Sequence, residues 1–350
     1  MSDQETPKVE KQTKPKSAPT PKGVGLDIGT MNLVSGRRGS KGVETRRIRD
    51  AFLDLPLNAK KMLKLSNTSF IERDDEILIL GDAALETANI FGREARRPLS
   101  DGLVSPNEMD SLEVLGFLVS HVLGEPAEKD EVCYFSVPAA PVDQPGKDII
   151  YHKGVFEKIV SECGYEAYPS NEAMAIIFAE CAPEGFSGLA MSFGSGMTNV
   201  ALAINTIEGL SFSVARGGDW IDKGAGSAIG STQARMCAIK EQGIDLMNPI
   251  GREQEALSFY YKELIEYGLT QIGNQFKTIQ GQFALPKPIP LVVSGGTSLA
   301  GGFLDFFLSV FEKKRKRFPI EVSEIRHAKD PLNAVAHGLL IQAMQEYDEE

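Results

Sequence analysis

The first regular pattern along the chain lies at Gly23–Gly36, GVGLDIGTMNLVSG, where Val24, Leu26 and Ile28 alternate with Gly and Asp before a glycine turn and a second apolar run. Alternation over so short a stretch predicts a β-hairpin with one face inward. The design recurs at Ser187–Leu202, GLAMSFGSGMTNVAL from Gly188 on, so the chain carries an internal repeat of one supersecondary unit. Between the two hairpins, Arg37–Arg49 reads as a basic, turn-rich piece. Short strands at Ser69–Glu72 and Ile77–Leu80 and a helix start from Gly81 read as a small inserted subdomain. Leu112, Leu115, Leu118 and Val119 recur at helical spacing and predict a helix over Asn107–Leu123. A buried strand over Glu131–Pro138 follows, then a helix over Ile149–Cys163, a short strand within Gly164–Pro169, and a helix over Ser170–Cys181 with Ser170 as its N-cap.

After the second hairpin the pattern predicts an antiparallel meander over Ile204–Ala215 and a turn at Gly217–Asp219 leading into a helix from Trp220. Helices follow over Gln233–Gly243 and Glu253–Phe276. A buried strand at Pro288–Val293 runs into Gly295, Gly296 and Thr297, with Ser298 capping a helix through Phe311. A short strand at Glu321–Val322 and a final helix over Asp330–Gln345, capped by Asp330 with Pro331 in its first turn, complete the reading. Met1–Lys22 is polar, Lys/Pro/Ser/Thr-rich and devoid of aromatic, Leu or Ile residues, the composition of a disordered tail. Such a tail suits a tether or a docking site for a partner, and it lacks the bulky apolar face of a membrane anchor.

Composition narrows the class. A chain of 350 residues, 42% hydrophobic, suggests about two domains. A net charge of −11 argues against general binding to nucleic acid or anionic membranes. Cys133, Cys163, Cys181 and Cys237 show no metal-ligand spacing and read as free thiols in a reducing compartment. No apolar run reaches the roughly 18 residues of a membrane span, and no signal-peptide pattern opens the chain, so the expected location is cytoplasmic. The basic run Lys313–Arg317 reads as a solvated helix C-terminus that complements the helix dipole.

The hairpin residues suggest chemistry. Gly29 lets a ligand approach the backbone, and Thr30, Met31 and Asn32 can turn main-chain N–H groups toward an anion. Asp27, at the tip of the first strand, can hold the hydration shell of Mg²⁺; an ordinary glycine hairpin with a surface Asp is the alternative on this stretch alone. The glycine turn at Gly295–Thr297, feeding a helix, is a second ready nucleotide contact.

Five pieces occur in one order: an acid–glycine hairpin, a VP strand with a helix pair ending in NEA, a second glycine hairpin, a GG turn after an apolar strand, and a last helix opened by DP. This order resembles the actin-like ATPase superfamily, which includes actin, MreB, the seventy-kilodalton heat-shock chaperones and sugar kinases. The resemblance covers nearly all of Gly23–Gln345. PLSDGLVS and EVCYFSVPAAP are similar to stretches of the MreB and magnetosome-filament (MamK-like) types.

The resemblance implies an α/β, two-domain actin-like ATPase fold: duplicated ribonuclease-H-like domains, each split into a large and a small subdomain. The large part of domain I takes 23–36, 101–185 and 330–350, its small part 37–100. The large part of domain II takes 186–230 and 252–329, its small part 231–251. GLDIGTMN is then the first phosphate loop, and SFGSGMTN, with Gly194, Ser195, Gly196, Met197 and Thr198, the second. Gly295, Gly296 and Thr297 fall in the adenosine motif, Lys240 and Glu241 beside the nucleoside. Glu172 is the residue that positions the attacking water. Asp27 would hold Mg²⁺ through water, and Ser192 stands where the family has an Asp, so metal binding or turnover is expected to be weakened. The implied cofactors are ATP and Mg²⁺, and the implied partner is the protein itself, in a head-to-tail filament, with a protein partner possible through the tail or small subdomains. A non-polymerising nucleotide-dependent scaffold and a small-molecule kinase remain as alternatives.

Overall fold

The computed structural model describes residues 22–348 apart from 67, 69, 74, 106–109, 148, 280 and 282–287. The tail expected over Met1–Lys22 therefore lies outside the described residues except for Lys22, as do the first residues of the helix expected from Asn107.

The first half opens with strands β1 (Val24–Ile28), β2 (Asn32–Gly39), β3 (Gly42–Arg49) and β4 (Phe52–Pro56), then helix α1 (Lys60–Leu65). Strands β5 (Ile71–Arg73) and β6 (Glu76–Leu80), helix α2 (Asp82–Phe91) and the short strands β7 (Leu99–Ser100) and β8 (Leu103–Val104) follow. Helix α3 (Ser111–Leu123), β9 (Glu131–Val137), α4 (Ile149–Glu162), β10 (Tyr165–Asn171) and α5 (Glu172–Glu180) complete it. The second half runs β11 (Gly188–Phe193), β12 (Thr198–Ile204), β13 (Ile207–Val214), α6 (Gly218–Ile229), α7 (Gln233–Gln242), α8 (Gly251–Thr278), β14 (Ile289–Ser294), α9 (Phe303–Lys314), β15 (Val322–His327) and α10 (Ala334–Asp348).

The repeat read in the sequence is a repeat of whole sheets. One sheet has the order β10-β9-β1-β2-β3, the other β13-β12-β11-β14-β15. In each, the first hairpin strand is central, antiparallel to its hairpin partner and parallel to the next strand of the sheet. The central strands are apolar on both faces, as a strand covered by helices on both sides must be. A third sheet, β4-β6-β5, closes with α1 and α2 over its own core around Leu53, Leu63, Ile77 and Ile79. No helix among the described residues is long and apolar enough to cross a membrane.

Arg37–Arg49 is where the sequence expectation fails. β2 runs on to Gly39, a two-residue turn reverses the chain, and β3 pairs with β2 from Gly42 to Arg49. The segment extends the first sheet rather than opening the small subdomain. Its charges hid a strand: β3 is an edge, exposed over Gly42–Arg47, and edge strands carry charge where inner strands carry apolar residues.

Three caps also differ. Asn171, not Ser170, caps α5: its Oδ1 accepts from the N–H groups of Ala173 and Met174 at 2.9 and 3.1 Å. Ser170 Oγ instead donates to Gln342 on α10. Ser298 lies in a 3-10 turn, its hydroxyl donating to the Gly295 carbonyl, and α9 begins only at Phe303. Asp330 and Pro331 lie in a turn ahead of α10, which starts at Ala334; the Asp330 carbonyl accepts from the Asn333 and Ala334 N–H groups.

Helices α5 and α10 join the halves. Ala173, Ile176 and Ile177 of α5, Ala190 and Ala201 of the second sheet, and Val335 and Leu339 of α10 form one buried cluster of mostly small side chains. Small residues let the backbones come close. The closest point is Gly338, where a β-carbon would lie 1.7 Å from the Ala175 carbonyl oxygen.

Gly338→Ala should therefore cost about 3 kcal/mol of stability by forcing the two helices apart, read as a lowered Tm. Gly116→Ala in α3, where no atom lies within 4 Å of the added carbon, should be neutral or stabilising. Equal Tm values for the two variants would contradict the close-packing account.

Candidate functional site

Each hairpin turn closes in the same way. The Gly29 N–H donates to the Asn32 carbonyl, and the Gly194 N–H to the Met197 carbonyl, both at 3.0 Å. The two turns come from different sheets and touch. A β-carbon on Gly196 would lie 2.6 Å from Thr30 Oγ1 and 2.2 Å from the Gly102 nitrogen. Residue 196 must be glycine for the halves to approach this closely.

Between them opens a cleft of about 590 Å³. From the first sheet its wall takes Asp27, Gly29, Thr30, Met31 and Asn32; from α5, Glu172. From the second half it takes Ser192, Gly194, Ser195, Gly196, Met197, Lys240, Glu241, Gly295, Gly296 and Thr297. Residues far apart in the chain thus face one space. Thr198 is the exception: it is fully buried and its hydroxyl donates to the Arg216 carbonyl at 2.9 Å, so it braces the turn from behind.

Two acids share the floor of the cleft. Asp27 Oδ1 accepts from Ser136 Oγ at 3.1 Å, and that oxygen accepts the Ile28 N–H at 2.7 Å. Glu172 Oε2 accepts from Asn199 Nδ2 at 2.9 Å, while Asn199 Oδ1 takes the Ala139 N–H at 3.1 Å. Both carboxyls are held well above the usual carboxylate range. Burial is the first cause for each, and the negative charge of Asp27 raises Glu172 further. Ser136 and Asn199, which hold the two acids, are residues that sequence reasoning missed. Each sits on a strand whose apolar run gave the strand away and drew attention from the one polar position that faces the acids.

Ser192 is buried, opposite Asn199 on β12 and beside Ser294 on β14. At the other end of the cleft, the Lys240 ammonium is held by Asp222 Oδ2 at 2.7 Å and the Gly218 carbonyl at 3.3 Å. Glu241 pairs across the cleft with Arg49 at 3.0 Å. Among the described residues no three His, Cys, Asp or Glu side chains cluster as a metal cage would require. At its floor the cleft offers the carboxyls of Asp27 and Glu172 and the Ser192 hydroxyl, beside the two glycine turns. That set suits an anion and a metal held through water, not a directly caged ion.

Removing the Asp27 charge leaves Glu172 buried but without its repulsive neighbour. In Asp27→Asn the Glu172 carboxyl should titrate at a lower pH than in the wild type, as followed by its side-chain ¹³C shift. An unchanged or higher midpoint would show that the two acids do not share one field.

The fold matches solved structures over almost its full length. A MamK double helical filament aligns with 94% of this chain and 98% of its own at 20% identity and a TM-score of 0.70. MreB5 of Spiroplasma citri bound to AMPPNP aligns with 95% and 99% at 16% identity and a TM-score of 0.64. The ethanolamine utilization protein EutJ from Carboxydothermus hydrogenoformans aligns with 93% and 90% at 16% identity and a TM-score of 0.55. At these identities the likeness is one of fold, and the fold is that of the actin-like ATPases. No curated protein sequence matches the chain. A family model does: it spans residues 23–343, both sheets and the helices that join them, and the chain belongs to the Volactin family.

Proposed function

We propose that the protein is an actin-like cytoskeletal ATPase that binds ATP with Mg²⁺ in the cleft, hydrolyses it slowly and polymerises into filaments that organise the cell interior. The observation that carries this reading is the contact of the two glycine turns at Gly196 and Thr30 above the acid pair Asp27 and Glu172. Two glycine turns that line one space from opposite sides suit one phosphate chain. Solved structures of MamK, in a non-polymerising mutant, and of MreB5 are bound to AMPPNP, and MamK forms a double helical filament, which supports extending nucleotide binding and self-assembly to this fold member.

Roles follow from position. The backbone at Thr30–Asn32 and Ser195–Met197 binds the phosphates. Gly295–Thr297 and Glu241 hold the nucleoside, with Lys240 fixed beside them by Asp222. Mg²⁺ would supply positive charge against the phosphates, and Asp27 and Ser192 would hold its water shell. Glu172 orients the attacking water, and Asn199 keeps Glu172 in place. Hydrolysis of this kind rests on positioning and electrostatics rather than on a covalent step. The filament is head to tail, a heterologous contact that extends without closing, and the protein works in the cytoplasm. Ser192 favours a second reading, a non-polymerising nucleotide-dependent scaffold, because a neutral hydroxyl holds a hydrated metal less firmly than a carboxylate.

Sedimentation with ATP and Mg²⁺, checked by electron microscopy, separates the two. The first reading predicts pelleted filaments; a nucleotide-bound monomer that never pellets favours the scaffold. Glu172→Gln should keep nucleotide binding and lower ATP hydrolysis by about 100-fold; a rate equal to wild type would remove Glu172 from the chemistry. Ser192→Asp should raise Mg²⁺ affinity or turnover, and a variant with neither gain would show that the hydroxyl is not the limiting feature.

A further inference from the structure

The segment from Arg96 to Gly102 crosses from the first half to the second. It is pinned at one end, where Arg96 and Phe52 exchange backbone hydrogen bonds at 2.9 Å. At its other end Gly102 abuts the second glycine turn. Between them Arg97 reaches to the second half, its Nη1 3.0 Å from Asp219 Oδ2 on the first turn of α6. Both side chains are mostly shielded from solvent, 31% and 16% exposed, so this pair is less screened than an ordinary surface pair. Asp219 also lies where a helix dipole favours an anion.

Each partner of this bridge is wired to a different glycine turn. The Asp219 N–H donates to the Ser195 carbonyl of the second turn at 2.9 Å. Asp50, almost fully buried, donates its N–H to the Met31 carbonyl of the first turn at 3.0 Å. Asp50 Oδ2 accepts the Leu99 N–H at 3.1 Å, and Oδ1 has no hydrogen-bonding partner among the described residues. Burial pushes the Asp50 carboxyl well above the usual carboxylate range, and the Leu99 N–H and the charge of Arg97 pull it part of the way back. Arg97 thus ties its segment to Asp219, Leu99 ties the same segment to Asp50, and each acid is bonded through its own backbone to one of the turns.

We propose that Arg97 is a positioning residue for the nucleotide's phosphate chain: through Asp50 and Asp219 it sets the spacing of the two glycine turns, so that both grip the same phosphates. The proposal rests on the ATP reading above and adds to it a residue that touches no phosphate itself. It also gives the cleft a reason to stay closed that does not depend on the nucleoside end, where Arg49 and Glu241 make a more exposed bridge.

Titration calorimetry with AMPPNP and Mg²⁺ on the full chain tests it. Arg97→Ala and Asp219→Ala should each weaken AMPPNP binding about tenfold. The double variant should be no weaker than either single one, because both remove the same link. Arg97→Lys should recover most of the loss, and the nucleotide-free Tm of the lysine variant should stay within about 2 °C of wild type. Affinities within about twofold of wild type, losses that multiply in the double variant, or a lysine variant as weak as the alanine one would overturn the role of Arg97 while leaving ATP binding intact. A wild-type protein that binds no AMPPNP would overturn both this role and the reading beneath it.

Discussion

At two points the halves of the molecule and the helices that join them come together backbone against backbone. At Gly196 there is no room for a β-carbon between Thr30 and Gly102, and at Gly338 none between α10 and the Ala175 carbonyl. The first contact brings the turns together; the second sets the helices that connect the sheets behind them. Everything at the cleft depends on this spacing. Asp27 and Glu172 share one floor because α5 starts directly at the end of β10, in the same sheet as the hairpin that carries Asp27, while the second sheet sends Asn199 to hold Glu172.

Charge in the cleft is arranged in pairs that cross or brace it. Lys240 is held within the second half by Asp222, whereas Arg49 and Arg97 each reach from the first half to an acid of the second. The acid floor is different. Among the described residues, Asp27 and Glu172 receive side-chain hydrogen bonds only from neutral Ser136 and Asn199, and burial holds both toward their protonated forms. An acid pair without a cationic partner, facing a space walled by glycine turns, is the arrangement a hydrated divalent cation would relieve.

Much of this was legible from residue pattern. Alternation at Val24, Leu26 and Ile28 and again through β11 gave both hairpins, and the repeat gave the duplicated sheet, because an apolar central strand followed by a glycine turn is local in sequence. The cleft wall was legible for the same reason: its turns are short and glycine-marked. What was hidden is what depends on neighbours far along the chain. β3 looked like loop because its outward residues are charged. Asn171 and Ser170 both suit an N-cap, and only the packing of α10 against Ser170 decides between them. Thr198 belongs to the turn in sequence but points behind it, since strand alternation sends it toward Arg216. The bridge from Arg97 to Asp219 joins positions with no local signal at all.

The central claim is that the two glycine turns bind one nucleotide between them. Its most direct test is a crystal structure of the protein with AMPPNP and Mg²⁺. The account predicts the phosphate chain between Gly29–Asn32 and Gly194–Met197, with the metal's waters toward Asp27. Nucleotide density elsewhere on the surface, or phosphates held by one turn while the other stands apart, would contradict it.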